Sequence, residues 1–265
     1  MTVHEVGKGR PVVYLHGLLG LNEHWIPTAR TLAHRARSIM LETPLLTLSG
    51  RLCSIQGVSQ MLGALIEELV DEPAVIVGSS FGGHVALRIV LDRPSIASGL
   101  ILVGSSGLYE ADYEDEIEAR MRMKDVEIRP SKEWMNRKVA ELFHDPSTIP
   151  DGVVERVHAE LSHRRAARAI VKLSRTSRRD HVGKQLDAVS IPSLVLWGRQ
   201  DIVTPPRVAR DFESLLPDAR LHWIDDCGHA PMIEKPREFT EAIGAFLDEL
   251  DSRASRSVGS RQEVA

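Results

Sequence analysis

Gly78-Ser79-Ser80-Phe81-Gly82-Gly83 constrains this chain more than any other stretch. The apolar run Ala74-Val75-Ile76-Val77 precedes it and reads as a buried strand. The segment from His84 to Leu91 follows and reads as a helix. The chain therefore runs strand, sharp turn, helix, with Ser80 at the apex. A turn this tight strains the apical residue and brings strand and helix too close for side chains two residues either side, hence Gly78 and Gly82. In that setting a G-x-S-x-G pattern presents a serine hydroxyl as a nucleophile. The helix start behind it offers free N–H groups to a developing negative charge.

Further strands are predicted at Thr2–Val6, Pro11–Leu15, Arg37–Glu42, Gly99–Val103, Ser193–Trp197 and Arg220–Ile224. Helical spacing covers Trp25–Ala36, Ser54–Val70, Pro206–Leu216 and Pro236–Leu250. Alternation of this kind predicts an α/β fold with a mostly parallel central sheet and helices on both faces. From Tyr109 to about Lys184 no strand pattern appears. That segment reads as amphipathic helices broken by Pro130, Pro146 and Pro150. The expected organisation is a core of residues 1–108 and 185–251, a helical insertion of 109–184, and a disordered tail of 252–265 rich in Ser and Arg.

With 265 residues the chain can bury a large core, and its formal net charge of -4 argues against nucleic acid as a general partner. Cys53 and Cys227 are the only cysteines. They form no disulfide framework or zinc spacing, which fits a reducing, cytoplasmic compartment. No apolar run approaches the ~18 residues of a membrane span, and no basic-then-apolar leader is seen. Neither a metal nor a cofactor is expected.

In an open parallel sheet, ligands bind beyond the carboxyl ends of the strands. The loops there carry His16-Gly17-Leu18, Ser80, Gly104–Gly107, Asp201 and His229. A serine needs a base, usually a histidine held by a carboxylate. Of eleven histidines, His229 follows the last strand and is the candidate base. His16 reads as a loop-shaping residue. Asp201, after a buried strand, is the candidate acid, while Asp225 and Asp226 lie too near His229 in sequence to fold back on its ring. The backbone N–H groups of Phe81 and Leu18 are the candidate oxyanion donors.

The order Ser80, Asp201, His229, with the His16-Gly17 loop and the Gly78–Gly83 turn, resembles the α/β-hydrolase superfamily from Val3 to about Leu250. The resemblance implies that Tyr109–Lys184 is a cap over the site. Serine at the apex places the chain with esterase-like members, and Cys227-Gly228-His229 resembles the branch of C–C bond hydrolases of ring-cleavage products. Three departures separate it from that branch and its relatives. Ala230 stands where a tryptophan is usual. The early loop reads His16-Gly17-Leu18-Leu19-Gly20 rather than H-G-x-G-P-G. Glu42-Thr43-Pro44-Leu45-Leu46 replaces an Asp-x-x-Gly-x-Gly loop.

The insertion is charge-segregated, acidic over Glu110–Glu127 and basic from Arg164 to Lys184. Arg165, Arg168, Lys172, Arg175 and Arg179 share one helical face. That face reads as solvated or paired with the acidic segment. The alternative is an arginine that holds a substrate carboxylate. Leu45, Leu46 and Leu48 read as pocket lining, partner contact or core. Cys227 reads as a small loop residue. The expected activity is a serine hydrolase acting on a small, uncharged carboxylic ester or related acyl compound. The alternatives are a C–C hydrolase and a non-hydrolytic ligand sensor on the same fold.

Overall fold

A computed structural model describes residues 1–20, 22–108 and 131–262, with side chains described to residue 256. Seven strands form one sheet: β1 (Thr2–Val6), β2 (Arg10–Leu15), β3 (Ala36–Glu42), β4 (Ala74–Ser79), β5 (Ala97–Val103), β6 (Ser193–Gly198) and β7 (Ala219–Ile224). Their order is β1-β3-β2-β4-β5-β6-β7. β1 pairs antiparallel with β3, and the other pairings are parallel. All seven lie where the sequence pattern predicts them. β2, β4, β5 and β6 are buried on both faces, which is why they read as unbroken apolar runs rather than alternating ones. β1 and β7 are the more exposed edge strands.

The side-chain period of two splits β2 between two cores. Val13 and Leu15 face one, and Val12 and Tyr14 the other. Helices α2 (Ile55–Leu69) and α3 (Phe81–Asp92) supply much of the first core. α1 (Ile26–Thr31) packs into the second, where Tyr14, Trp25 and Phe239 stack with ring centroids 5.3 Å and 6.0 Å apart. Burying each such ring contributes roughly 2–3 kcal/mol. The helix expected over Trp25–Ala36 is shorter. A 3-10 turn at Asn22–Trp25 leads into α1, which stops because the β1–β2 turn docks against it, Lys8 N–H donating to Ala33 O at 3.1 Å, and Ala36 already belongs to β3.

Between β5 and β6 the described residues hold α4 (Lys132–Ala140), α5 (Val153–Leu161) and α6 (Arg164–Arg179). The predicted acidic segment of the insertion lies outside the described residues. α6 docks onto the loop after β3. Arg165 donates to Thr47 O at 2.8 Å and Lys172 to Gly50 O at 2.8 Å. Two residues of the basic face thus latch the insertion to backbone carbonyls of the core, while Arg168 stays exposed.

After β6 come α7 (Pro206–Leu215), the short α8 (Pro231–Glu234) and α9 (Pro236–Gln262). α9 continues well past Ser252, where the sequence pattern predicts disorder. Arg253 pairs with Asp218 and Glu249, and the Ser252 and Ser255 hydroxyls donate to the carbonyls of Asp248 and Asp251. A helix already anchored through Phe246, Leu247 and Leu250 propagates at little cost even without an apolar face.

The chain passes from β2 to β3 on one side and returns to β4 on the other. The crevice at that reversal, between the loops after β2 and β4, is the place such a sheet offers a ligand.

Candidate active site

Ser80 sits in that crevice at φ 54° and ψ −118°, a region costly for a residue with a Cβ. The strain is held by a backbone hydrogen bond on each side. Ser80 N–H donates to Val103 O at 2.9 Å, and Gly83 N–H donates to Ser80 O at 3.0 Å. The flanking glycines are required by contact. A Cβ at Gly78 would lie 2.6 Å from Gly83 Cα, and one at Gly82 would lie 2.6 Å from His16 O. The turn is therefore pinned between its own helix and the loop after β2.

Asp201 and His229 meet from the loops after β6 and β7. His229 Nδ1 lies 2.8 Å from Asp201 Oδ2, and both side chains are buried. Three further donors orient the carboxylate: Val203 N–H at 2.8 Å and Thr204 N–H at 2.9 Å on Oδ1, and the Thr204 hydroxyl at 2.9 Å on Oδ2. A carboxylate so placed fixes the proton of the imidazole on Nδ1, leaving Nε2 free to accept. Gly104 makes room for the pair, since a Cβ there would lie 2.9 Å from His229 Nδ1. Asp225 and Asp226 point elsewhere. Asp225 pairs with Arg199, and Asp226 Oδ1 lies 4.0 Å from His144 Nε2, with both carboxylates exposed. Gln200 binds the two loops together, its N–H donating to Cys227 O at 3.0 Å and its side chain accepting from Cys227 N–H at 3.0 Å. Burial, with the Glu234 carboxylate adding, pushes the Cys227 thiol well above its usual range, so it is an inert filler of this loop.

The loop after β2 is shaped by His16, as its sequence context suggests. Thr43 N–H donates to His16 Nε2 at 3.0 Å, so the ring proton is on Nδ1, 2.7 Å from Gly17 O. Burial pushes His16 below its ordinary range and keeps it neutral, as this pattern requires. Gly17 then passes close to Ser80, where a Cβ would lie 3.2 Å from Ser80 Cβ. Leu18 follows, lining the same cavity as Ser80. Among the described residues, neither Leu18 N–H nor Phe81 N–H is given to another protein acceptor.

Ser80 and His229 open into a cavity of about 250 Å³, walled by Trp25, Val139, Leu142, Phe143, Val157 and Ile170 among others. An adjoining chamber of about 560 Å³ shares His16, Leu18, Leu19, Gly20 and Arg156 with it. Leu45 and Leu46 line this outer chamber rather than the wall beside Ser80, and Leu45 is also core. The sequence pattern offers cations only on the basic face of α6. Of that face Arg165 lines the outer chamber, whereas Arg156, from α5, lines both spaces. Its Nη1 is 3.5 Å from Glu160 Oε1, while Nη2 is buried without a hydrogen-bond partner among the described residues. Burial, helped by the Arg156 charge, pushes neighbouring His24 down to about 4, so Arg156 is the cation there and His24 is neutral.

A family model described as the alpha/beta hydrolase family matches residues 12–242. The chain belongs to that family. Sequence relatives of this hydrolase differ in substrate. A pimeloyl-[acyl-carrier protein] methyl ester esterase of Nitrosomonas europaea is 27% identical over 92% of this chain and 98% of its own. A 2-hydroxy-6-oxo-6-(2'-aminophenyl)hexa-2,4-dienoic acid hydrolase of Metapseudomonas resinovorans is 26% identical over 92% of this chain and 86% of its own. Among solved structures, an alpha/beta hydrolase from the metagenome of lagoon sediments at Mar Chica, Morocco, superposes with a TM-score of 0.73 at 28% identity, covering 94% of this chain and 95% of that one. No helix among the described residues is long and apolar enough to cross a membrane, and no group of three or more His, Cys, Asp or Glu among them is placed to hold a metal ion.

Sequence reasoning missed Thr204, Arg156 and Glu234. Thr204 had a signal, standing three residues after the candidate acid in a loop closed by Pro205. The other two acquire meaning only when distant elements converge.

Proposed function

We propose that this protein is a serine hydrolase that cleaves a small carboxylic ester or related acyl compound through an acyl-enzyme on Ser80. The observation that carries this reading is the 2.8 Å contact of Asp201 with His229 at the wall of the cavity that Ser80 also lines. Ser80 Oγ attacks the acyl carbonyl, and its proton passes to His229 Nε2. Asp201 stabilises the resulting imidazolium through Nδ1–H. The N–H groups of Leu18 and Phe81 receive the oxyanion. The tetrahedral intermediate collapses, and the leaving group takes the proton from His229. Water, deprotonated by the same histidine, then releases the acid from Ser80. The apolar walls of the cavity favour a short or medium acyl chain.

A second reading, hydrolysis of a C–C bond in an acidic ring-cleavage product, is favoured by one observation, the buried Nη2 of Arg156 that has no hydrogen-bond partner among the described residues. Glu160 on the same guanidinium and the small Ala230 beside His229 weigh towards the neutral ester. The test has two parts. An organophosphonate should label Ser80, read by mass spectrometry, and a kcat/KM series should compare uncharged esters of increasing chain length with a dienoate acid. Esters are expected to win. A dienoate that wins, and loses its advantage in Arg156→Gln, replaces the ester reading. A folded protein with neither label nor turnover points instead to a ligand sensor.

A further inference from the structure

Glu234 is a buried carboxylate five residues beyond His229, at the end of α8, and only 7% exposed. A buried charge of this kind is costly unless hydrogen bonds replace its water. Here three backbone N–H groups do so. Gly228 donates to Oε2 at 2.7 Å, His144 to Oε2 at 3.2 Å, and Asp145 to Oε1 at 2.6 Å. The donors come from two places far apart in the chain: the turn that carries His229, and the segment just after α4 in the helical insertion. A fourth bond runs between the same two places, His229 N–H donating to Leu142 O at 2.8 Å. The backbones touch as well, since a Cβ at Gly228 would lie 2.7 Å from His144 N. Leu142 and Phe143, carried on the clipped segment, line the same cavity as Ser80.

We propose that Glu234 is a positioning residue, which fixes the backbone of His229 by clipping its turn to residues 142–145 of the insertion. The inference rests on the reading of His229 as the base. A carboxylate suits the task because it accepts on both oxygens, whereas an amide accepts on one. In Glu234→Gln the amide oxygen keeps the two donors at Oε2, Gly228 and His144, while its NH2 is turned against Asp145 N–H, so the insertion side of the clip loses one of its two bonds. In Glu234→Ala both sides open.

The experiment measures kcat, KM and the rate of organophosphonate labelling of Ser80 in wild type, Glu234→Gln and Glu234→Ala, each checked for folding by circular dichroism. Misplacing a reacting group by about 1 Å costs on the order of a hundredfold in rate. The expected order is therefore wild type, then Gln about tenfold slower, then Ala about a hundredfold slower in kcat, with KM held within about threefold and labelling rate falling in parallel. Folded variants with unchanged kcat and labelling overturn the proposal, as does a rise in KM alone, which would mean that Glu234 shapes only the pocket. Failure of both variants to fold overturns it too, since Glu234 would then be a folding residue. A wild-type protein that labels at no serine and turns over no ester defeats the hydrolase reading instead, and the two failures are distinct.

Discussion

Acidification should destabilise this protein through a histidine that takes no part in the chemistry. His84 lies in the first turn of α3, four residues past Ser80, and is fully buried. Its Nδ1 is 2.9 Å from Ser177 Oγ, and its Nε2 is 3.8 Å from Asp180 Oδ2, a carboxylate already paired with Arg88. Burial pushes its pKa from 6.5 down to about 4, outweighing Asp180, with Arg88 and His181 acting in the same direction as burial. The native state therefore resists a proton that the unfolded chain accepts. Stability is full above about pH 6.5 and is lost as pH falls from 6.5 towards 4. At pH 5 the unfolded histidine is almost wholly protonated and the native one almost wholly neutral, a difference of about 2 kcal/mol relative to pH 8. His24, also pushed down to about 4, adds a similar amount in the same window. The perturbation is His84→Asn, which keeps a polar atom near Ser177 and cannot titrate. Urea unfolding followed by tryptophan fluorescence, at pH 8 and pH 5, yields the change in unfolding free energy for each protein. The loss on acidification should be smaller in the variant by about 2 kcal/mol. Taking the difference between two pH values cancels the constant packing cost of the substitution. An identical loss in wild type and variant, or a wild type that gains stability at pH 5, would refute the reasoning.

Asp201→Asn should leave folding intact and lower ester kcat by about four powers of ten, because the amide favours the wrong imidazole tautomer. A comparable loss in Asp225→Asn would show that the wrong acid has been named. Gly82→Ala forces a Cβ onto the carbonyls of Leu15 and His16 and should lower unfolding stability by about 1–3 kcal/mol. Thermal unfolding checks it, and an unshifted midpoint counts against the elbow packing. Arg165→Ala and Lys172→Ala, which remove exposed latches to Thr47 O and Gly50 O, should each change stability by under ~1 kcal/mol and ester turnover by less than about twofold. A tenfold loss in either would mean that the basic face of α6 works on the substrate.

The seven strands, and the turn at Ser80, were legible in the sequence because their causes are local. Burial on both faces writes an apolar run, and the close approach of β4 and α3 writes glycine at 78 and 82. The positions of Asp201 and His229, each just past a strand, follow from the same pattern, since a parallel sheet gathers its strand ends along one edge. That Asp201 and not Asp225 meets the imidazole was expected from sequence spacing, but how the pair is held was decided by tertiary structure, which turns the Asp225 carboxylate out to Arg199 and closes Val203, Thr204 and Gly104 around Asp201. Likewise the charge pattern of α6 marked Arg165 and Lys172 as one face but not that this face would find the carbonyls of Thr47 and Gly50. Nothing local distinguishes Arg156 from its neighbours in α5, or Glu234 from the surface glutamates of α9. Their meaning comes from elements about 90 to 140 residues apart in the chain that meet only once the sheet order is set: Arg156 against the loop after β2, and Glu234 against the segment after α4. Sequence reports the sterics and burial of neighbours along the chain. Which polar groups will share a buried space depends on which distant backbones the fold presses together.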